Sequence, residues 1–265
     1  MPFADVNGQR IFYTDTGGGA GQPVLVFSHG LLMDHSMFDP QVQAFKGRYR
    51  CIAWDERGHG QTSTPGTCAP LRYYDSADDL AALLRHLGVT QAVLVGMSQG
   101  GYLSLRCALT HPALVQALVL IDTQASPEDP ALMPHHMALV QRWAQGGLDD
   151  DMAATVESFI LGESWEGAAV WKAKWKQVDN ANLIQCSTTL GQRDDISEQI
   201  RQIQVPALVI HGSNDRAIVP ERARAMAQAL PRSQWVEVPG AGHAPNLTHP
   251  EPVNQAMATF LQQLG

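Results

Sequence analysis

One stretch constrains the fold more than any other. In Val93-Leu94-Val95-Gly96-Met97-Ser98-Gln99-Gly100-Gly101 an apolar run ends at a serine set between glycines, and a helical pattern begins. Residues 92–95 are apolar on both faces, as a central parallel strand must be. From 99 to 109 apolar residues recur at helical spacing. A strand that passes into a helix with one residue between them needs a sharp turn. Small residues at Gly96 and Gly100 let the two elements approach closely enough to hold Ser98 there under strain, its hydroxyl above the sheet edge.

The rest of the chain alternates in a way that fits such a sheet. Residues 3–6 and 10–15 flank Asn7-Gly8, a dipeptide suited to a tight hairpin turn, so the chain is expected to open with an antiparallel ribbon. The glycine-rich 17–21 reads as a connector, because neither a helix pattern nor a P-loop lysine follows it. Buried strands are expected at 24–28 and 50–54, and an amphipathic helix at 77–87 that Gly88 ends. After the serine helix come a strand at 118–121, a long helical stretch, a strand at 207–210, a helix at 221–230, a strand at 234–238 and a helix at 250–264. Alternation of this kind implies a mostly parallel sheet with helices on both faces and ligands at the carboxyl ends of its strands.

The stretch from 124 to 203 has helical patterns and no buried strand, and is too long for a loop. It is expected to be a helical cap inserted into one domain, dividing the core into 1–123 and 204–265. Its Trp143, Trp165, Trp171 and Trp175 could pack internally or line a pocket.

With 18 Lys and Arg against 26 Asp and Glu, the net charge of −8 argues against nucleic acid and anionic membranes as partners. No run is long and apolar enough to span a bilayer, and residues 1–7 lack the basic-then-apolar start of a secretion signal, so the expectation is a cytoplasmic protein. Homo-oligomerisation stays open. Cys51, Cys68, Cys107 and Cys186 are scattered without metal or redox spacing and read as buried or incidental thiols. No cofactor motif is present, and His35, His135 and His136 have no acidic partner at metal-ligand spacing that supports a metal.

Three groups recur after strands in the order Ser98, Asp215, His243. Serine attacks a carbonyl carbon only if an imidazole takes its proton, and a carboxylate on the far ring nitrogen fixes the tautomer. Asp122 also follows a strand and competes for the acid role, but Asp215 completes His211-Gly212-Ser213-Asn214-Asp215 and precedes the histidine. Together with His29-Gly30, Asp55-Glu56-Arg57-Gly58-His59-Gly60 and Gly240-Ala241-Gly242-His243, these motifs resemble the α/β-hydrolase superfamily, in particular 3-oxoadipate enol-lactonases and small esterases. The resemblance covers nearly the whole chain outside the cap.

It implies an α/β-hydrolase fold with an eight-stranded, mostly parallel sheet, and a catalytic triad of Ser98, Asp215 and His243. It assigns the oxyanion hole to the backbone N–H groups of Leu31 and Gln99. His29 is expected to hold the oxyanion loop, and His29, Leu32, Trp143 and Trp165 are candidate pocket residues. The Gln99 side chain could contact substrate or serve structure. His59 is expected to order the sheet edge, His211 and His249 to be non-catalytic, and His35, His135 and His136 to lie near the pocket or on the cap. A serine at 98 excludes the haloalkane dehalogenase reading, which needs an aspartate there. The expected activity is hydrolysis of a small ester or lactone through an acyl-enzyme, without a cofactor. Carbon–carbon bond hydrolysis and cofactor-free perhydrolysis use the same triad, and a ligand-binding receptor on this fold is the alternative of another class.

Overall fold

Segments apolar at every position have no face to offer solvent, and in the computed structural model, which describes residues 3–19, 21–62, 71–162 and 165–264, such segments form the middle of one sheet. Its strands are β1 (Phe3–Val6), β2 (Gln9–Asp15), β3 (Val24–Ser28), β4 (Arg50–Trp54), β5 (Ala92–Met97), β6 (Val115–Ile121), β7 (Ala207–Gly212) and β8 (Ser233–Val238). They lie in the order β1-β2-β4-β3-β5-β6-β7-β8. The first two make a hairpin over Asn7 and Gly8, both at positive φ, and β2 meets β4 antiparallel. All other neighbours are parallel.

The helices are α1 (Asp39–Phe45), α2 (Tyr73–His86), α3 (Gln99–Thr110), α4 (Met133–Gly146), α5 (Asp150–Ile160), α6 (Ala168–Trp175), α7 (Asn180–Gly191), α8 (Pro220–Ala229), α9 (Pro245–Thr248) and α10 (Pro250–Gln262). Alternate side chains of each strand point to opposite faces, so the sheet divides the core into two apolar layers. Leu94, Leu118 and Val209 pack with Leu80, Leu103 and Met226 of α2, α3 and α8. Val95, Val119 and Leu208 pack with Phe45, Phe260 and the cap-region Trp143, Trp171 and Trp175.

Several boundaries differ from the sequence expectation. Helix α2 starts at Tyr73 rather than 77, because the Arg72 N–H donates to Asp75 Oδ2 at 3.0 Å and closes the first turn without a Ser, Thr, Asp or Asn cap. Strand β6 starts at Val115, three residues early, across a register shift opposite Ala92 and Val93. Between β3 and β4, where the sequence expectation places no element, stand a short 3₁₀ turn, His35–Phe38, started by the Asp34 carboxylate, which accepts the Ser36 N–H, and then α1. Between β6 and β7 the helices α4 to α7 occupy the stretch read as a cap. Cys51, Cys107 and Cys186 are buried, Cys186 with its sulfur 4.0 Å from His59 Nδ1, and Cys68 lies outside the described residues. Among the described residues no helix is long and apolar enough to cross a membrane.

Candidate active site

Helix α3 sits so close to β3 and β5 that Gly100 in its first turn tolerates no side chain. A Cβ on Gly100 would lie 1.9 Å from the Ser28 carbonyl oxygen, and one on Gly96 would lie 2.2 Å from the Gly100 carbonyl oxygen. The strand-to-helix corner is therefore tight, and Ser98 occupies it at φ 50°, ψ −114°, a region costly to residues with a Cβ. What holds it is hydrogen bonding on both sides. Its N–H donates to the Ile121 carbonyl at 2.9 Å, and its own carbonyl accepts from Gly101, Tyr102 and the Thr123 hydroxyl.

Loops from two other strand ends meet this serine. His243 Nε2 lies 3.0 Å from Ser98 Oγ, and His243 Nδ1 lies 2.8 Å from Asp215 Oδ2. A carboxylate can only accept, so Nδ1 carries the proton and Nε2 presents its lone pair to the hydroxyl. The other Asp215 oxygen accepts the N–H groups of Ala217 and Ile218 at 2.8 and 3.0 Å. Burial works to raise the Asp215 pKa, but the His243 charge and hydrogen bond outweigh it, so the carboxyl stays below its usual range. Asp122 is not at the imidazole. It is fully buried, accepts the Gly212 N–H at 2.9 Å, and is pushed well above the usual carboxylate range, by burial first and by the Asp215 charge second.

The first expected oxyanion donor follows Gly30, where a Cβ would stand 3.6 Å from Ser98 Cβ, so this turn lies against the nucleophile. The Leu31 N–H makes no backbone hydrogen bond among the described residues, and the Gln99 N–H, at the first position of α3, has no acceptor within the helix. His29 is buried. Its Nδ1–H donates to the Gly30 carbonyl at 2.8 Å and its Nε2 accepts the Glu56 N–H at 3.0 Å. Both ring nitrogens are committed to the loop.

A cavity of about 390 Å³ opens beside Leu31 and Leu32, between residues 31–36 and helices α6 and α7. Of the four candidate pocket residues Leu32 lines it, and His29, Trp143 and Trp165 do not. Trp143 instead packs at helical spacing into the apolar layer, and Trp165 packs half-buried against the same layer. The lining includes groups that spacing does not reveal: the His35–Asp55 pair at 2.7 Å, Lys174 and His59. The turn that holds His59 meets β2, where Phe12 N–H donates to Thr62 Oγ1 at 2.9 Å, and His59 also lies against His29. It is buried with its ring 4.9 Å from that of His29, and burial with that neighbour drives its pKa down to about 3. His135 is exposed on α4, away from that lining. The Gln99 side chain serves structure, bonded to Glu56 and Tyr73. Among the described residues two groups could hold a metal ion by proximity, Asp34-His35-Asp55 and Asp122-His211-Asp215, and in both the carboxylates already accept hydrogen bonds from the protein.

A neutral buried histidine has a consequence for acid stability. The unfolded state takes up a proton on this ring below its ordinary value of 6.5, while the folded state resists until about 3, so stability is lost as pH falls between the two. His59→Gln is expected to gain on the wild type by roughly 2 kcal/mol between pH 6.5 and 4.5, read as the change in their difference in urea melts. Glu56, raised to about 7 by burial, slopes the other way and cancels in that difference. A difference independent of pH would show that His59 ionises freely in the fold.

The α/β hydrolase fold family model matches residues 23–250. The 3-oxoadipate enol-lactonase 2 of Acinetobacter baylyi is 27% identical, with 94% of this chain and 92% of that protein covered. The 2-(acetamidomethylene)succinate hydrolase of Mesorhizobium japonicum is 30% identical, with coverage of 92% and 89%. Among solved structures, a thermophilic esterase from Thermogutta terrifontis with malate bound superposes with a TM-score of 0.87 at 28% identity, covering 99% of this chain and 97% of that one. With the eight-stranded sheet, the strained serine and a family match over most of its length, this chain belongs to the α/β hydrolase fold family.

Proposed function

We propose that this protein is a serine hydrolase that cleaves a small carboxylic ester or lactone through an acyl-enzyme intermediate. The observation that carries the reading is the continuous relay from Ser98 Oγ through His243 to Asp215, with contacts of 3.0 and 2.8 Å. As Oγ attacks the carbonyl carbon, its proton passes to His243 Nε2, and the imidazolium that forms is stabilised by Asp215. The imidazolium then protonates the departing alkoxide. Water attacks the acyl-enzyme by the same route, with His243 again as base. General-base help of this kind contributes about 10²–10⁴-fold. The oxyanion that develops is met by the N–H groups of Leu31 and Gln99, and one such donor is worth about 10²–10³-fold.

The cavity of about 390 Å³ is lined by Leu31 but not by Ser98 or His243; its size is in keeping with a small substrate, and Lys174, His35 and Asp55 along it with a polar group on that substrate. The helices α4 to α7 act as its cap. Relatives whose names specify lactone and ester substrates support the bond type. The test is a panel of p-nitrophenyl esters, lactones and vinylogous diketones given to the wild type and to Ser98→Ala, together with an organophosphonate. Turnover of esters or lactones and one phosphonate bound per chain are expected, both absent in the variant. Turnover confined to diketones would replace the proposal with carbon–carbon bond hydrolysis. Peracid formation from acetate and hydrogen peroxide, without ester turnover, would replace it with perhydrolysis. Tight small-molecule binding without turnover or labelling would make the protein a receptor.

A further inference from the structure

The two amides assigned to the oxyanion lie on different loops, and one residue touches the supports of both. Glu56 follows β4 and is buried together with His29, Tyr73, Ser76 and Gln99. Its backbone N–H donates to His29 Nε2 at 3.0 Å, and His29 Nδ1–H donates to the Gly30 carbonyl at 2.8 Å. That carbonyl and the Leu31 N–H belong to a single trans peptide plane, so fixing the oxygen toward His29 aims the N–H the opposite way. The Glu56 carboxylate, in turn, accepts from Gln99 Nε2 at 2.6 Å through one oxygen and from the Ser76 hydroxyl through the other. Tyr73 closes the set by donating its hydroxyl to Gln99 Oε1 at 3.1 Å.

Every polar side-chain atom in this group has a partner, which is what makes a buried carboxylate tolerable and its hydrogen bonds directional. The cluster does not reach the reacting atoms. It reaches the residues whose backbones present the two donors, and a misplacement of those donors is felt where negative charge develops. Building on the acyl-transfer reading above, we propose that Glu56 is a positioning residue for the oxyanion hole, its carboxylate fixing Gln99 at the start of α3 and its amide fixing the His29-Gly30-Leu31 turn.

Only the carboxylate half can be removed by substitution, and two variants grade the loss. In Glu56→Gln the amide oxygen can still accept from Gln99, and the Ser76 hydroxyl can turn to accept from the new amide, so at pH 8.5, above the Glu56 value of about 7, a weaker neutral bond replaces a charged one. In Glu56→Leu the Gln99 amide loses its acceptor. With p-nitrophenyl acetate, and with rates counted per active site titrated by organophosphonate, kcat is expected to fall about 5-fold in Glu56→Gln and about 50-fold or more in Glu56→Leu. KM is expected to stay within 3-fold. Affinity for an alkylboronic acid, which mimics the tetrahedral oxyanion, is expected to fall in step with kcat, while affinity for the carboxylate product stays constant.

A merely structural role would lower the count of active sites and leave both the rate per site and the ratio of the two affinities unchanged, which would overturn the proposal. So would boronate and product affinities falling together. If Glu56→Leu yields no folded protein, Glu56→Gln decides alone by the same criteria. A wild type inert toward ester and phosphonate would overturn the acyl-transfer reading and this one with it. A reactive wild type with unchanged variants overturns only the role of Glu56.

Discussion

Ser98→Ala is expected to lower ester or lactone turnover by about 10⁴–10⁶-fold while leaving the fold intact. The hydroxyl supplies the bond-forming atom, and no other nucleophile stands in its place among the described contacts of His243, whose ring nitrogens meet only Ser98 Oγ and Asp215. What survives is the contribution of the oxyanion amides and of substrate positioning to attack by water. Stability should change by less than about 1 kcal/mol. The Ser98 side chain packs no core, its backbone keeps its bonds to Ile121, Gly101 and Thr123, and alanine bears the positive φ at about the same cost as serine. Steady-state rates and a urea melt of the same preparation check both halves. Turnover within tenfold of the wild type would show that Ser98 is not the nucleophile.

Gly100→Ala should have the largest effect on stability. The added methyl would stand 1.9 Å from the Ser28 carbonyl oxygen, 2.5 Å from its carbon and 2.9 Å from the His29 carbonyl oxygen, all backbone atoms at the end of β3. No side chain can turn away to make room, so α3 must lift from the sheet. That shift carries Ser98 and the Gln99 amide away from the His29-Gly30-Leu31 turn. A loss of at least about 3 kcal/mol is expected, with activity falling further than the folded fraction. Gly146→Ala is the control, since a Cβ there meets nothing within 4 Å; it should be neutral or slightly stabilising. Denaturant midpoints for the two variants give the comparison. A Gly100→Ala protein as stable as the control would mean that the corner is looser than these contacts require.

The tight corner was legible because it is local. Gly96, Ser98 and Gly100 sit within five residues, and strand and helix periods change across them, so sequence spacing and spatial spacing coincide. The sheet was legible for the same reason: runs buried on both faces have one architecture open to them. The acid was less so. Asp122 and Asp215 both follow strands, on β6 and β7, which are neighbours, and only the path of the loop bearing His243 decides which carboxylate meets the ring. The pocket was least legible. Tryptophans on amphipathic helices show the same spacing whether they face a core or a ligand, and here Trp143 faces the core. Glu56 and His59 lie inside a motif whose turn is evident, but their partners, Gln99 and Ser76 for one and the His29 ring for the other, are loops or helices away. Hydrogen bonds across such separations leave no period in a sequence.

Helix α6 reaches down to the turn beside the nucleophile at two points. The Trp175 indole N–H donates to the Leu32 carbonyl at 3.0 Å, and the Lys174 ammonium meets Asp34 and Ser36 at 2.7 Å each. Leu32 holds a left-handed backbone conformation, φ 64°, immediately after the Leu31 amide. On the acyl-transfer reading proposed above, selectivity and speed are thereby yoked together. Remodelling the helical segment to admit a different molecule would then also tug on the proposed support of the tetrahedral species, so a lineage diversifying its diet on this frame would have to retain Lys174 and Trp175 or re-tune its reactivity with each change.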